Sequence, residues 1–337
     1  MIGAIAGKEF RDYLTGRRFL IIFSFLLATI TLSLIQTKMG LESWNVPGSE
    51  GPKMYDIMFG LSFYLGFIGA IFALSLGFDA VTREHEDRTL KVLMGHPVFR
   101  DQVILGKLLG GALTLGVAVA VTALITTGML LWIGVTIDDY LRLFTYFLLI
   151  YLYLMTFFTM AVAFSAHSKS SGNALMYSLV MFLALMTILM PIGSIVAHKL
   201  AGPKPEMPDE LKALQEQMMQ GNASMEEMQK YQTLMDEYQN QTEKWFKRYW
   251  KIQEYFQMFS PENDFTTITN YVLNPYAEKS EEQGMAYMVA NPGENEKPKH
   301  SLMESLSFAE KELAVLVGYL VLWFVVAYLG FVRAEIR

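Results

Sequence analysis

Six long apolar blocks constrain this chain more than any other feature. They run Phe19–Gln36, Ile57–Phe78, Leu108–Val135, Leu141–Ala166, Ala174–Ala197 and Leu313–Val332. At about 20 residues each they are long enough, as helices, to cross a hydrocarbon core about 30 Å thick. Backbone N–H and C=O groups in lipid have no water to bond, so a spanning segment must satisfy them internally. The blocks therefore predict an all-α polytopic membrane protein with six transmembrane helices. Lys8, Arg11, Arg17 and Arg18 precede the first block. That block is too long for a cleavable leader and no small-residue cleavage site follows it, so it reads as an uncleaved span.

Lys and Arg near span ends set orientation. Four precede the first span, and five lie between Asp79 and Lys107: Arg83, Arg88, Lys91, Arg100 and Lys107. Lys169 sits between spans four and five, and Arg333 and Arg337 follow span six. The other side has Lys38, Lys53 and Arg142 in its two short loops. The expected arrangement is a multi-pass protein of the plasma or inner membrane with both termini cytoplasmic. In residues 1–18, Ile2, Ile5, Phe10, Tyr13 and Leu14 alternate with charges, which suits a helix in the inner interface or a simple positive anchor. Glycines at helical spacing in spans two and three, Gly66, Gly69, Gly106 and Gly110 among them, allow close helix approach, within one subunit or between two.

Asp79–Lys107 is a long polar segment between two apolar runs. It packs Arg83, Glu84, Glu86, Asp87, Arg88 and Lys91 together, then Leu90, Val92, Leu93 and Met94, then the breakers Gly95 and Pro97. The pattern predicts a helix, a tight turn and a second helix at the membrane surface. A charged loop serving topology alone has the same composition. The order of Glu84, Glu86, Asp87, Thr89, Leu90, Leu93, Pro97, Arg100, Gly106 and Lys107 resembles the first cytoplasmic loop of ABC transporter permease subunits of the ABC type-2 family. Arg88 stands where that family usually has Gly before the Thr. The resemblance extends to the six-span layout and to residues 260–275, and does not obviously cover 201–259. It implies a permease that pairs with a second permease, as homo- or heterodimer, and with separate ABC ATPase subunits. The ATPase-coupling residues it implies are Arg83, Glu84, Glu86, Asp87, Arg88, Thr89, Leu90, Val92 and Leu93.

The segment after span five is then extracytoplasmic. Residues 198–312 hold 12 Lys and Arg against 20 Asp and Glu, so the chain's net −6 belongs to this part and nothing suggests nucleic-acid binding. The expected organisation is a membrane part, 1–200, with an interfacial helix and a coupling loop at 79–107; an outer helical domain, 201–312; and a sixth span with a tail, 313–337. Ser224–Glu227 forms a capping box. From there Met228, Tyr231, Met235, Tyr238, Thr242, Trp245, Tyr249, Ile252, Phe256 and Phe259 recur at three- and four-residue steps. This heptad stripe predicts a long helix over 224–259. Tyr238, Trp245, Tyr249, Ile252 and Phe256 are its expected packing residues. So many aromatics require cover, whether from the helix expected at Asp209–Gln220, a second subunit or the outer membrane interface. Ser260-Pro261 should stop that helix, a short amphipathic one follows over Asp264–Leu273, and Pro191 should kink or end span five.

Absences narrow the chemistry. No GxxxxGK[ST] occurs, so the chain does not bind ATP through a P-loop; the resemblance implies that a partner subunit binds ATP, and the chain itself is not expected to be an enzyme or to hold a cofactor. The five His residues form no HExxH or paired ligand set, and there is no Cys. The span interiors lack Asp, Glu, Lys, Arg and His, unlike ion-coupled carriers, which keep such residues despite their cost. The expected function is the permease subunit of an ATP-driven exporter in contact with membrane lipid. The alternative is a non-transporting assembly or scaffold protein whose outer helices dock an extracytoplasmic partner.

Overall fold

The computed structural model describes residues 2–43, 53–86, 99–137, 139–220, 224–277 and 299–333. Among these the regular elements are helices: α1 (Ile2–Thr15), α2 (Arg17–Ser43), α3 (Met54–Gly77), α4 (Thr82–Glu86), α5 (Arg100–Ile133), α6 (Tyr140–His167), α7 (Ser171–Leu183), α8 (Leu189–Ala201), α9 (Asp209–Met219), α10 (Met225–Gln257), α11 (Pro261–Leu273), α12 (Leu302–Phe308) and α13 (Glu310–Arg333). A π-helical turn, Ala184–Ile188, joins α7 to α8. Six stretches are long and apolar enough to cross a membrane: Arg17–Gly40, Met54–Glu84, Arg100–Ile133, Tyr140–His167, Ser171–Ala201 and Glu310–Arg333. The protein is thus an all-α, multi-pass membrane protein.

The chain divides into two compact units. The first runs to Met186 and resumes at Pro261; the second begins at Thr187 and runs to Ser260. These breaks fall elsewhere than residues 201 and 312, where the composition changes.

Spans two and four are the heart of the first unit. They are 61% and 72% buried, against 22% for span one and 17% for span six. Small residues let them meet. Gly77 of span two lies under the Phe158 carbonyl and Ala161 of span four, and on span three a Cβ at Gly111 would overlap the same Phe158 ring. Polar side chains bond across the seam: Ser62 Oγ lies 3.1 Å from the Tyr146 hydroxyl, and Tyr153 donates to the Gly66 carbonyl at 3.2 Å. Such bonds matter in lipid, where an unmade one has no water to replace it.

Helix α11 is the short helix expected over Asp264–Leu273. Its Phe265 stacks on Tyr153 at 4.6 Å, and Ile268, Val272 and Leu273 are buried in the core of the spans. Pro261 opens this helix as well as closing the preceding one, since proline's missing N–H costs nothing in a first turn. Arg142, fully buried at the start of α6, holds the far end. It donates to the carbonyls of Val272 at 2.7 Å and His300 at 2.6 Å and to Ser305 Oγ at 3.1 Å. A guanidinium over helix C-terminal carbonyls also meets the negative end of the helix dipole.

Two expectations are corrected. Pro191 does not end span five: helix continues to Ala201, and the break in regular α-geometry falls earlier, at Ala184–Ile188. Proline at 191 cannot donate to the carbonyl four residues back, and a π-turn that shifts the bonding pattern just before it absorbs that loss. Arg100–Lys107 is not a separate surface helix but the first two turns of span three.

In the second unit, Ser224 and Glu227 make the expected capping box. The middle of the stripe on α10 is covered within the chain, in good part by α8, while Met228 and Phe259 at its ends are exposed. Phe256 packs at Gly193, Tyr249 shares a 2.9 Å hydrogen bond with Ser194, and His198 lies edge-on to Trp245 and Tyr249. Trp245 is buried, stacks on Tyr249 and donates from Nε1 to the Gly202 carbonyl at 2.8 Å. Tyr238, Ile252 and Phe256 are half-buried. Lys230 of α10 pairs with Glu210 of α9.

Candidate functional site

The polar segment after span two is built into the membrane helices through one lysine. Lys107, two turns into α5, has a side chain only 2% exposed. Its ammonium donates to Glu84 Oε1 of α4 at 2.7 Å and to Glu9 Oε1 of α1 at 3.0 Å. Lys8 adds longer contacts, 3.6 Å to Glu9 and 4.0 Å to Glu84. A buried charge costs several kcal/mol unless paired; here one buried cation answers two acids, and three segments are fixed to one another.

Glycine makes the approach of α1 feasible. A Cβ at Gly106 would meet Ile5 at 2.6 Å, and one at Gly110 would meet Glu9 Cβ at 2.6 Å and the Ala6 carbonyl at 3.0 Å. Tyr13, further along the same face, is half-buried with its hydroxyl enclosed. Burial, and then the neighbouring acids with Glu9 first, push its phenol well above its ordinary range.

The other side of α4 is bonded to the junction of α6 and α7. Ser165 Oγ accepts from the N–H groups of Val81 at 3.0 Å and Thr82 at 3.1 Å. Thr82 Oγ1 lies 3.0 Å from Ser171 Oγ. Glu86 accepts from the N–H and the hydroxyl of Ser171, each at 2.8 Å. A carboxylate is favoured at this helix N-terminus, and these two bonds hold the Glu86 carboxyl below its ordinary range. Just before α4, Asp79 pairs with Arg18 at the start of span one.

Of the residues singled out in the sequence, Arg83, Glu84 and Glu86 are placed here. Arg83 and Glu86 are exposed, and Glu84 is turned inward to Lys107. Asp87, Arg88, Thr89, Leu90, Val92 and Leu93 lie outside the described residues. Sequence reasoning missed Glu9, Ser165 and Ser171. Glu9 left a signal: it falls on the face of α1 that carries Ile2, Ile5, Ala6 and Tyr13, an acid on an apolar stripe. The two serines left none.

Fold and node together define a polytopic membrane protein whose charged segment is anchored to several spans at once. The chain belongs to the ABC-2 family transporter proteins, whose family model matches residues 3–336. It is similar to the probable ABC transporter permease protein NosY of Stutzerimonas stutzeri, 30% identical over 121 residues, which are 35% of this chain and 41% of that protein. NosY of Pseudomonas aeruginosa is likewise 30% identical over 122 residues, again 35% and 41% of the two chains. The chain thus spans less than half the length of the relatives it matches.

Proposed function

We propose that this chain is the permease subunit of an ATP-driven transporter, an exporter working as a dimer, with separate ATPase subunits docked on the Asp79–Lys107 segment. One observation carries the reading: α4 is bonded at once to α1, to span three through Lys107, and to the junction of spans four and five through Ser165 and Ser171. Force applied to such a segment reaches several spans. ATP is bound by the partner, and this chain supplies the path and the docking surface. Family membership and the sequence's lack of a P-loop support that division of labour. In this reading both termini and the 79–107 segment face the cytoplasm of a plasma or inner membrane, and α9 and α10 lie on the opposite side.

Glu84 is committed to Lys107, so its substitution would mix loss of docking with loss of the node. Arg83→Glu with Leu93→Asp is the cleaner test, because interfaces draw most energy from a few apolar anchors while rim charges set orientation. The double variant should insert and dimerise as before, yet lose co-purification of the ATPase and the ATP hydrolysis coupled to transport. Co-purification at the wild-type ratio rejects the docking site. Wild type that holds no ATPase in mild detergent would favour the assembly-protein alternative.

A further inference from the structure

Helix α11 carries an acid without a partner. Asp264 is 0% exposed, and among the described residues neither of its carboxyl oxygens has a hydrogen-bond donor. Glu312, near the start of α13, acts on it electrostatically, and Glu312 Oε2 is also buried without a donor. Tyr319, two turns further along α13, is within electrostatic reach of Asp264.

The surrounding charges do not neutralise this pair. On α11 itself stand Glu262 and Tyr271. Spans two and four pack against α11. Span four brings Tyr153, whose ring stacks on Phe265, and Arg142, whose guanidinium serves carbonyls at the other end of α11 and Asp139. Span two brings Asp56, Tyr55 and Tyr64. The α12 side brings Glu304 and His300. Helix α13 adds Glu310 and Lys311, and Lys311 is exposed, so water screens its charge.

A carboxylate shut away without donors strongly disfavours its charged form, and a second acid nearby disfavours it further. Burial first, and then the Glu312 charge, push the Asp264 carboxyl up to about 8. An enclosed acid coupled to a half-buried one whose buried oxygen has no donor calls for one positive charge between them. Among the described residues no third acid or His joins the pair as a metal ligand. We propose that Asp264 and Glu312 form a site for a single monovalent positive charge, a proton or an alkali-metal ion, within the first unit. Asp264 lies on a helix that does not span and Glu312 in the first turn of span six, so the lack of charge in the span interiors says nothing about the pair.

The test uses the full chain in lipid nanodiscs with N-methylglucamine as the bulk cation. The sign follows from linkage: an acid whose folded value is raised is fully tolerated below its unfolded value. Its cost then grows as pH rises towards about 8 and is constant above. Wild type should therefore lose apparent Tm between about pH 5 and about pH 8 and level off, while Asp264→Asn loses that component of the slope. Glu312→Gln should move the levelling-off to lower pH. At about pH 9, a rise in wild-type Tm with Na+ or K+, absent in Asp264→Asn, assigns an alkali-metal ion; no rise, with the slope present, assigns a proton. Should Asp264→Asn fail to fold, wild type still decides, through a protonated-carboxyl infrared band at about pH 6 that fades by about pH 9. A wild type with neither the slope, nor the band, nor an ion response overturns the proposal.

Discussion

Lys107 and Asp264 lie in the same unit, the first 2% and the second 0% exposed. Lys107 has two carboxylates within 3.0 Å. Asp264 has no donor at either oxygen among the described residues, and the charge acting on it, Glu312, has its own sign. Burial penalises both charges. At Lys107 opposite charges from two distant segments offset the penalty, which makes the lysine a fixed joint. At Asp264 nothing in the surrounding helices offsets it, which leaves the group to take its positive charge from outside the protein. A joint and an exchangeable site are thus told apart by partners rather than by depth.

The largest expected effect comes from breaking the joint. Lys107→Ala leaves Glu9 and Glu84 facing each other, and loss of one partner of a buried pair typically costs about 3–5 kcal/mol. Thermal unfolding in nanodiscs should show a large drop in Tm; a drop no larger than that of a substitution at exposed Arg83 would mean the node holds nothing. At Asp264 removal of the charge should have the opposite sign, as set out above, so the two substitutions together are the sharpest test of the contrast.

A loss of similar size with no charge involved is expected in the second unit. Trp245→Ala truncates a buried aromatic, typically at a cost of about 3–5 kcal/mol, whereas Gln239→Ala on the exposed face should change little. Equal, small changes in Tm for the two would show that the stripe on α10 is not covered. The smallest effect belongs to Ser171→Ala, which removes one of two bonds to Glu86. Because those bonds lower the Glu86 carboxyl, their contribution is present above the ordinary carboxylate value and is lost as pH falls through the folded one. The variant should differ from wild type at neutral pH and converge with it in acid; a difference that persists in acid contradicts this.

The spans were legible because an apolar run of about 18 residues or more has few other uses. Their ends were less so: Arg100–Lys107 is polar enough to read as a surface helix, yet Lys107 is accepted inside because Glu9 and Glu84 meet it. Those partners are 98 and 23 residues away in sequence, and no periodicity links them. The stripe on α10 was legible as a face needing cover, but α8, which covers much of it, looks like plain membrane span. Asp264 was hidden for a related reason. Charge counting over 198–312 treats every acid alike, and only the packing of Phe265, Ile268 and Val272 among the spans shows that this one is enclosed.

The proposal that the 79–107 segment receives the ATPase is tested most directly by capture in the intact cell. A photo-crosslinking amino acid at Arg83, which is exposed beside the node, would be activated by light and its adduct identified by mass spectrometry. The account predicts a crosslink to a protein carrying a GxxxxGK[ST] P-loop, lost when Leu93→Asp is added. Adducts with lipid alone, or with a protein that has no such motif, would contradict it.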